Sequence, residues 1–258
     1  MGTALVTGAT SGIGWEFART LASRGHDVCL VARDESRLEQ RTEELRRLRV
    51  DAEWISADLC ERAGLARVEE RLSDRLRPVE ILVNNAGFGV PHRFVGGSIE
   101  DEQRMLDVLV TAVMRLSHAV LPVMVDRGTG AILNVSSVAG WITGGTYSAA
   151  KAWVTVFSES LSIELAGTGV HVTAVCPGFT HTEFHQRAGM EMDAVPEWMW
   201  LDAQDVVDTA LRDVRKGRPV SVAGPQYKAL SLAAQYMPRP LVRALGSRRA
   251  GGQARASH

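Results

Sequence analysis

The chain has 258 residues, 45% hydrophobic and 23% charged, which suits a globular protein with a sizeable core. Its formal net charge of -1 excludes a general attraction to nucleic acid. The three cysteines, Cys29, Cys60 and Cys176, match neither a disulfide framework nor a metal site, and the first predicted strand begins too close to Met1 for a signal peptide. We therefore expect a cytoplasmic protein with no metal and with no apolar run long enough to span a membrane.

Short β-branched runs alternate with longer helical patterns along the chain. Strands are predicted at 3–8, 27–33, 51–59, 80–87, 130–137, 170–178 and 219–224, and helices at 12–25, 34–49, 61–76, 100–126, 146–167 and 202–215. Near-continuous apolar strands that alternate with helices are typical of a parallel sheet covered on both faces. The sequence therefore predicts an α/β fold: a single doubly wound Rossmann-type domain over residues 1–258, with a seven-stranded parallel sheet and helices on both faces.

The turn between the first predicted strand and the first predicted helix is rich in glycine. The sequence "TGATSGIG" places Gly8, Gly12 and Gly14 there, where side chains would keep the backbone away from a bound pyrophosphate. The helix that follows would direct its free N–H groups and its positive dipole end at the phosphates. No Gly-Lys-Ser/Thr follows the turn, which excludes a P-loop, so the pattern favours a dinucleotide site.

The end of the second predicted strand favours NADP(H) as the dinucleotide. An acidic residue at this point selects NAD, whereas a basic residue accommodates the extra phosphate of NADP. The strand ends in "VAR", so Arg33 occupies this point and Arg37 follows one helical turn later. The alternative is an ordinary exposed arginine, and the neighbouring acids Asp34 and Glu35 weigh against a phosphate site.

The segment "TYSAAK" combines a phenol with an ammonium group. Tyr147 and Lys151 are four residues apart, so on a helix their side chains lie on the same face, one turn apart. For an isolated Tyr-x-x-x-Lys pattern the usual explanation is a surface pair whose polar ends reach into water. The other motifs of the chain decide between that explanation and a catalytic pair.

Six motifs together resemble the short-chain dehydrogenase/reductase family, in the order in which that family carries them. They are "TGATSGIG", "ADL" at 57–59, "NNAG" at 84–87, "SSVAG" at 136–140, "YSAAK" at 147–151 and "PGFTHT" at 177–182. The resemblance implies an oxidoreductase that transfers hydride between a nicotinamide and a carbonyl or alcohol group. It assigns Tyr147 as the general acid/base, Lys151 as the charged group beside it, and Ser137 as a hydrogen-bond partner of the substrate oxygen. Lys151 and the positive charge of an oxidised nicotinamide are both expected to lower the pKa of Tyr147.

The same resemblance implies which residues contact the cofactor. Asp58 matches an adenine contact, Thr182 matches a hydrogen bond to the nicotinamide carboxamide, and the segment that starts at Asn84 matches a lining beside the cofactor. The alternative for Asn84 and Asn85 is that they are simple turn residues at a strand end. The implied NADP(H) contacts are Gly8, Ser11, Gly12, Ile13, Gly14, Arg33, Asp58, Leu59, Asn85, Ala86, Gly87, Tyr147, Lys151, Pro177, Gly178, Thr180 and Thr182.

One position departs from the family pattern. The family usually has an asparagine in the long helix, which helps to hold a water between the lysine and bulk solvent, whereas this chain has Leu109 there. Leucine has neither a donor nor an acceptor, so this relay is missing or rerouted. The departure keeps open an alternative function, that of a weakly catalytic NADP(H)-binding sensor or scaffold protein.

The C-terminal third contains the predicted substrate-binding region. Residues 183–201 are rich in Met and Trp and are expected to form a lid that favours an apolar or aromatic substrate; the alternative is that these side chains pack on the body. A basic tail from about residue 246 is expected to be flexible. The helices at 100–126 and 146–167 resemble those with which the family forms dimers and tetramers. We therefore expect a homodimer or homotetramer that acts on a small carbonyl or alcohol, with no nucleic-acid or membrane partner.

Overall fold

The computed structural model describes residues 2–183, 195–238, 240 and 241. The strands are β1 Thr3–Thr7, β2 Asp27–Ala32, β3 Ala52–Ser56, β4 Val79–Asn84, β5 Gly130–Val135, β6 Val170–Val175 and β7 Val220–Ser221. The α-helices are α1 Gly12–Ser23, α2 Glu35–Arg46, α3 Arg62–Ser73, α4 Ile99–Leu106, α5 Val113–Arg127, α6 Gly145–Glu164, α7 Ala203–Arg215 and α8 Pro225–Tyr236. A π-helical segment, Asp107–Ala112, joins α4 to α5, and 3₁₀ turns lie at Val138–Trp141 and Glu197–Met199.

The seven strands form one parallel sheet in the order β3-β2-β1-β4-β5-β6-β7. In the central strand β1, the successive residues Ala4, Leu5 and Val6 are all fully buried, so both faces of the sheet need a cover. The chain changes direction across the sheet between β1 and β4, and in such sheets ligands bind at the carboxyl ends of the strands beside that point. The predicted α/β class, the seven parallel strands and the Rossmann-type arrangement are confirmed.

Two apolar cores cover the two faces of the sheet. The helices α1, α2 and α7 pack on one face, where Phe17 and Leu38 are fully buried. The helices α3 and α5 pack on the other face, where Leu72 and Leu116 are buried. Because both faces are closed by helices, the strand ends are where polar side chains meet in an accessible space.

The sequence patterns do not predict helix α8. The helix begins at Pro225, directly after Gly224, whose φ is +78°, and proline is well tolerated at the first helical position. Tyr227 is almost fully buried, but the apolar residues Leu230 and Leu232 are exposed. Apolar side chains therefore lie on both the buried and the exposed side of this helix.

The predicted helix at 100–126 consists of α4, the π-helical segment and α5. By length and composition the stretch Ile99–Arg127 could cross a membrane, so the expectation that no apolar run is long enough was wrong. Half of its most apolar part is buried inside the protein, where α5 packs against α3 and β4. This burial is what a core helix of the fold requires.

The predicted lid is described only in part. Residues 184–194 lie outside the described residues, and so does the predicted tail from about residue 246. The described remainder of the lid contains the 3₁₀ turn Glu197–Met199, and Leu201 forms an isolated parallel bridge with Thr180. This bridge joins the chain after β6 to the chain before α7.

Candidate active site

One cleft of about 760 Å³ lies at the carboxyl ends of the central strands. With the exception of Gly14 and Asn84, the predicted site residues line it. These residues are Gly8, Ser11, Gly12, Ile13, Arg33, Asp58, Leu59, Asn85, Ala86, Gly87, Ser137, Tyr147, Lys151, Pro177, Gly178, Thr180 and Thr182. Since β2 and β5 lie on opposite sides of β1 and β4, Arg33 stands at one end of the cleft and Tyr147 at the other.

The glycine-rich turn has a backbone that side chains would disrupt. Gly8 adopts a φ of +63°, and a Cβ atom on it would lie 2.9 Å from the Cα of Ala86. A Cβ atom on Gly14 would lie 2.3 Å from the Gly8 carbonyl oxygen, so Gly14 allows α1 to pack on the turn although it does not line the cleft. The Asn85 Nδ2 donates hydrogen bonds to the carbonyl oxygens of Thr7, at 2.9 Å, and Gly8, at 3.2 Å, and so holds the turn against the end of β4.

The N-terminus of α1 faces the same cleft. Its first turn is formed by Gly12, Ile13, Gly14 and Trp15, so it brings no carboxylate to the cleft. It offers backbone N–H groups and the positive end of the helix dipole to an anion. The pyrophosphate of a dinucleotide therefore fits this turn in charge and in the space that the glycines leave.

Two arginines line the cleft after β2, and they differ in their partners. Arg37 forms ion pairs with Asp34, at 3.6 Å, and with Glu183, at 3.5 Å. Arg33 is exposed and forms no ion pair with another described residue. Arg33 is therefore the arginine whose charge is available to a bound phosphate.

Asp58 supplies an anionic acceptor near the same end of the cleft. Its Oδ1 accepts a hydrogen bond from the backbone N–H of Cys60 at 2.9 Å, and its Oδ2 lies 3.2 Å from the Arg104 guanidinium. Burial alone would raise the pKa of Asp58, but the hydrogen bonds from Cys60 and the charges of Arg33 and Arg104 hold it below its usual value. Asp58 is thus ionised at neutral pH and can accept a hydrogen bond from an amino group of a ligand.

The three predicted catalytic side chains meet at the opposite end of the cleft. Ser137 and Tyr147 are hydrogen-bonded to each other, and the Ser137 Oγ also accepts a hydrogen bond from the Ala139 N–H at 3.1 Å. The Lys151 Nζ lies 5.7 Å from the centre of the Tyr147 ring and donates a hydrogen bond to the Val135 carbonyl oxygen at 2.7 Å. As the spacing predicts, Tyr147 and Lys151 lie one turn apart on α6.

Burial controls the protonation of both titrating groups. It lowers the pKa of Lys151 to about 8, so the ammonium form still predominates at pH 7. Burial raises the pKa of Tyr147 above its ordinary value, and the hydrogen bond with Ser137 opposes this only in part. In the protein alone, burial therefore dominates the pKa of Tyr147, and the Lys151 ammonium group is directed at the Val135 carbonyl oxygen. The expected lowering of this pKa by Lys151 together with an oxidised nicotinamide stays a prediction.

Asn84 does not line the cleft. It is 3% exposed, and its Nδ2 donates hydrogen bonds to the Asn134 Oδ1 at 2.9 Å and the Ser117 Oγ at 3.3 Å. The Asn134 Nδ2 in turn donates to the Ser158 Oγ at 3.0 Å. Of the two predicted asparagines, only Asn85 borders the cofactor space, while Asn84 ties β4 and β5 to the helices α5 and α6.

Leu109 lies in the π-helical segment directly beside Lys151. It is 1% exposed and packs with Met105 and Ala150. A Cβ atom on Gly87 would lie 2.7 Å from the Leu109 Cδ2 and 3.9 Å from the Lys151 Nζ, which places a leucine methyl group close to the ammonium group. An apolar side chain therefore occupies space next to the charge, as the departure from the family pattern suggested.

The cleft also contains residues that the sequence patterns did not single out. Those from strand ends and adjacent loops are Thr10, Val31, Ala32, Ala57, Cys60, Phe88, Val135 and Ser136, and Val108 comes from the π-helical segment. Proximity to predicted contacts could have identified the strand-end residues, whereas nothing in the sequence marks Val108. Burial raises the pKa of the Cys60 thiol to about 11, so this thiol stays protonated and is a poor nucleophile.

Comparison with known sequences defines the class of this protein. Residues 2–193 match the family described as short chain dehydrogenase, a family of oxidoreductases. The chain belongs to the short-chain dehydrogenase/reductase family.

Individual relatives extend the similarity over most of the chain. Sulfoacetaldehyde reductase 2 of Chromohalobacter salexigens is 40% identical over 185 residues, which cover 70% of this chain and 73% of the relative. The structure of a short-chain dehydrogenase from Sphingobium yanoikuyae in complex with NADPH is 38% identical, with a TM-score of 0.83 over 91% of this chain and 94% of that one. The bulky-bulky ketone specific alcohol dehydrogenase from Comamonas testosteroni is 32% identical, with a TM-score of 0.77 over 98% and 94% of the two chains.

Replacing Lys151 with methionine would remove the buried ammonium group while keeping a side chain of similar length. Because burial lowers the pKa of Lys151 from 10.5 to about 8, the unfolded chain binds more protons than the folded protein between these values. The contribution of Lys151 to the free energy of unfolding should therefore rise with pH, by about 1 kcal/mol between pH 7 and pH 9. Urea unfolding of both proteins at pH 7, 8 and 9 measures this contribution as the free energy of unfolding of the wild type minus that of the variant. A difference that stays constant or falls as the pH rises would contradict the burial of the charge.

Replacing Leu109 with asparagine would place an amide beside Lys151. If the missing water link limits proton supply to Tyr147, Leu109→Asn should raise kcat, most strongly at high pH where protons are scarce. A buried amide that finds no partner costs about 1–3 kcal/mol, so melting temperatures are measured alongside kcat as a function of pH. Leu109→Ala, which opens space without adding a hydrogen-bonding group, is the control. Identical pH profiles from equally stable Leu109→Asn and wild-type proteins would show that another path already carries the proton.

Proposed function

We propose that the protein is an NADP(H)-dependent carbonyl reductase or alcohol dehydrogenase that acts on an apolar or aromatic substrate. The observation that carries this proposal is the convergence of Ser137, Tyr147 and Lys151 in the cleft that also contains the glycine-rich turn and Arg33. A dinucleotide site and an acid/base group thereby share one cavity. This arrangement of the two sites suits hydride transfer coupled to proton transfer.

In the proposed reaction Tyr147 is the acid/base group. In the reductive direction its hydroxyl donates a proton to the substrate oxygen, and the Ser137 hydroxyl hydrogen-bonds the same oxygen and holds it in place. A bound nicotinamide supplies or accepts the hydride. The Tyr147 hydroxyl is protonated at neutral pH, as proton donation requires, whereas burial, which raises its pKa, opposes the loss of that proton. The positive charge of Lys151 would stabilise the phenolate that remains.

The assignment of NADP(H) rests on the charges along the cleft. Arg33 would bind the 2′-phosphate, Asp58 would accept a hydrogen bond from the adenine, and the N-terminus of α1 would bind the pyrophosphate. The remaining proposed contacts are Leu59, Asn85, Ala86, Gly87, Pro177, Gly178, Thr180 and Thr182. The NADPH named in the complex of the Sphingobium yanoikuyae relative supports the same choice.

The walls around Tyr147 favour an apolar substrate. Phe88 lines the cleft and packs with Tyr147 in an apolar cluster, whose members Val90, Leu106 and Val110 lie behind the lining. Such walls bind aliphatic or aromatic groups better than the hydroxyl groups of a sugar. The bulky ketones named for the Comamonas testosteroni relative support this class of substrate.

The alternative of a weakly catalytic sensor or scaffold has only Leu109 in its favour. Ser137, Tyr147 and Lys151 are all present and lie together, which a protein that only binds the cofactor would not need. We therefore propose catalysis as the function. The presence of leucine then affects how protons reach the site rather than whether the site reacts.

We also propose that the protein forms a homodimer or homotetramer through α5 and α6. Val156 and Ile163 of α6 are 62% and 78% exposed, and Met114 of α5 is also exposed. Ala150 of α6 is buried, so it does not contribute to this exposed surface. Exposed apolar side chains on two adjacent long helices are typical of an interface between subunits.

Tyr147→Phe should abolish most of the turnover without loss of cofactor binding. The substitution removes only the hydroxyl that transfers the proton, and such groups contribute about 10²–10⁴-fold to the rate. NADPH affinity, measured by fluorescence titration, should stay close to that of the wild type, while kcat with a panel of bulky ketones should fall by this factor. Near-normal turnover in the variant would refute the role of Tyr147.

Arg33→Asp should remove the preference for NADPH over NADH. The lost charge-assisted hydrogen bonds correspond to about 1–3 kcal/mol, or about 5- to 150-fold in the ratio of the two affinities. Arg37→Asp is the matched control, because Arg37 is already paired with Asp34 and Glu183 and should change the ratio less. If the ratio survives Arg33→Asp, the 2′-phosphate is bound elsewhere.

A further inference from the structure

One tyrosine of α8 joins two segments that lie far apart in the sequence. Tyr227 is 1% exposed, and its hydroxyl oxygen accepts a hydrogen bond from the Phe179 N–H at 2.9 Å. The same hydroxyl donates a hydrogen bond to the Met199 carbonyl oxygen at 2.7 Å. Phe179 follows β6 and Met199 precedes α7, so a single side chain holds both ends of the intervening stretch.

Backbone hydrogen bonds also join the segment that follows β6 to the segment that precedes α7. The backbone N–H of His181 donates to the Leu201 carbonyl oxygen at 3.0 Å, and the Leu201 N–H donates to the Phe179 carbonyl oxygen at 2.8 Å. The His181 ring also stacks on the Trp200 ring, with 4.7 Å between their centroids. The pairing is short, so its position depends on what anchors it to the body of the protein.

The segment that follows β6 forms part of the wall of the cleft, to which it contributes Gly178, Thr180 and Thr182. Gly178 packs so closely on Tyr227 that a Cβ atom on it would lie 2.0 Å from the Cζ of the ring. At the other end of the segment, a Cβ atom on Gly12 would lie 3.1 Å from the Cγ2 of Thr182. The segment therefore runs from the Tyr227 ring to the glycine-rich turn.

We propose that Tyr227 is a positioning residue for the cofactor. By holding Phe179 and Met199 together, its hydroxyl sets the placement of Thr180 and Thr182 in the wall of the cleft. Phenylalanine cannot replace it, because the hydroxyl serves as the acceptor of one hydrogen bond and the donor of the other. The identity of the cofactor rests on the proposed function, but the role of Tyr227 in placing the wall does not.

Tyr227→Phe separates the hydroxyl from the ring, which stays available to pack on Gly178. Tyr236→Phe is the matched control, since Tyr236 lies on the same helix and is 83% exposed. We expect Tyr227→Phe to weaken NADPH binding and to lower kcat with a bulky ketone, each by about 3- to 10-fold, the scale of a lost hydrogen bond. The control should match the wild type. A purely structural role would lower the melting temperature but leave both parameters unchanged at a temperature well below it.

Amide hydrogen exchange tests the placement without a cofactor or a substrate. The Phe179 amide should exchange slowly in the wild type and at least about tenfold faster in Tyr227→Phe, because its acceptor is gone. If Tyr227→Phe does not fold, Gly178→Ala serves for the exchange measurement alone, since the added Cβ would displace the Tyr227 ring whereas Gly178 is itself a proposed cofactor contact. Unchanged exchange and unchanged NADPH affinity in the folded variant would overturn the inference. A wild-type protein that binds neither NADPH nor NADH would instead overturn the proposed function.

Discussion

A buried ammonium group is the constraint on which the geometry of the cleft depends. Lys151 is 4% exposed, and a charge at such a depth is tolerated only when its donors find partners. Its hydrogen bond to Val135 joins α6 to the end of β5, and the Ser136 Oγ adds a second link by donating to the Lys151 carbonyl oxygen at 2.7 Å. These links fix the first turns of α6, so the position of Tyr147 follows from the position of the sheet.

The apolar cluster beside Lys151 and the lowered pKa of this residue have one physical cause. Leu109 brings a methyl group close to the ammonium group and excludes polar contacts from that side. A drier environment disfavours the charged form of Lys151, but it also strengthens whatever interaction the remaining charge makes with a phenolate. The apolar surroundings of Lys151 thus act on its pKa and on its electrostatic interactions alike.

The sequence predicted which residues line the cleft better than it predicted their pKa values and the directions of their side chains. The order of the strands and the motifs at their ends follow from local patterns, which is why the predicted site residues other than Gly14 and Asn84 line one cavity. The predicted strands at 80–87 and 170–178 were too long, because apolar and small residues continue from the sheet into the wall of the cleft. The pKa of Tyr147, the inward direction of Asn84 and the π-helical segment depend on tertiary packing, for which residue spacing carries no signal. Helix α8 was missed because its exposed leucines blur the amphipathic pattern.

The central position of β1 has a consequence for how the protein is made. Thr3–Thr7 is synthesised before the other six strands, but one of its two neighbours in the sheet, β4, ends only at Asn84. At about 5–20 residues per second, a ribosome needs roughly 4–15 s to add that neighbour after β1 has been synthesised. During this interval one edge of β1, whose three middle residues are apolar, has no partner, and pairing between strands so distant in sequence is slow. The nascent chain should therefore depend on chaperones most strongly before β4 has left the ribosome.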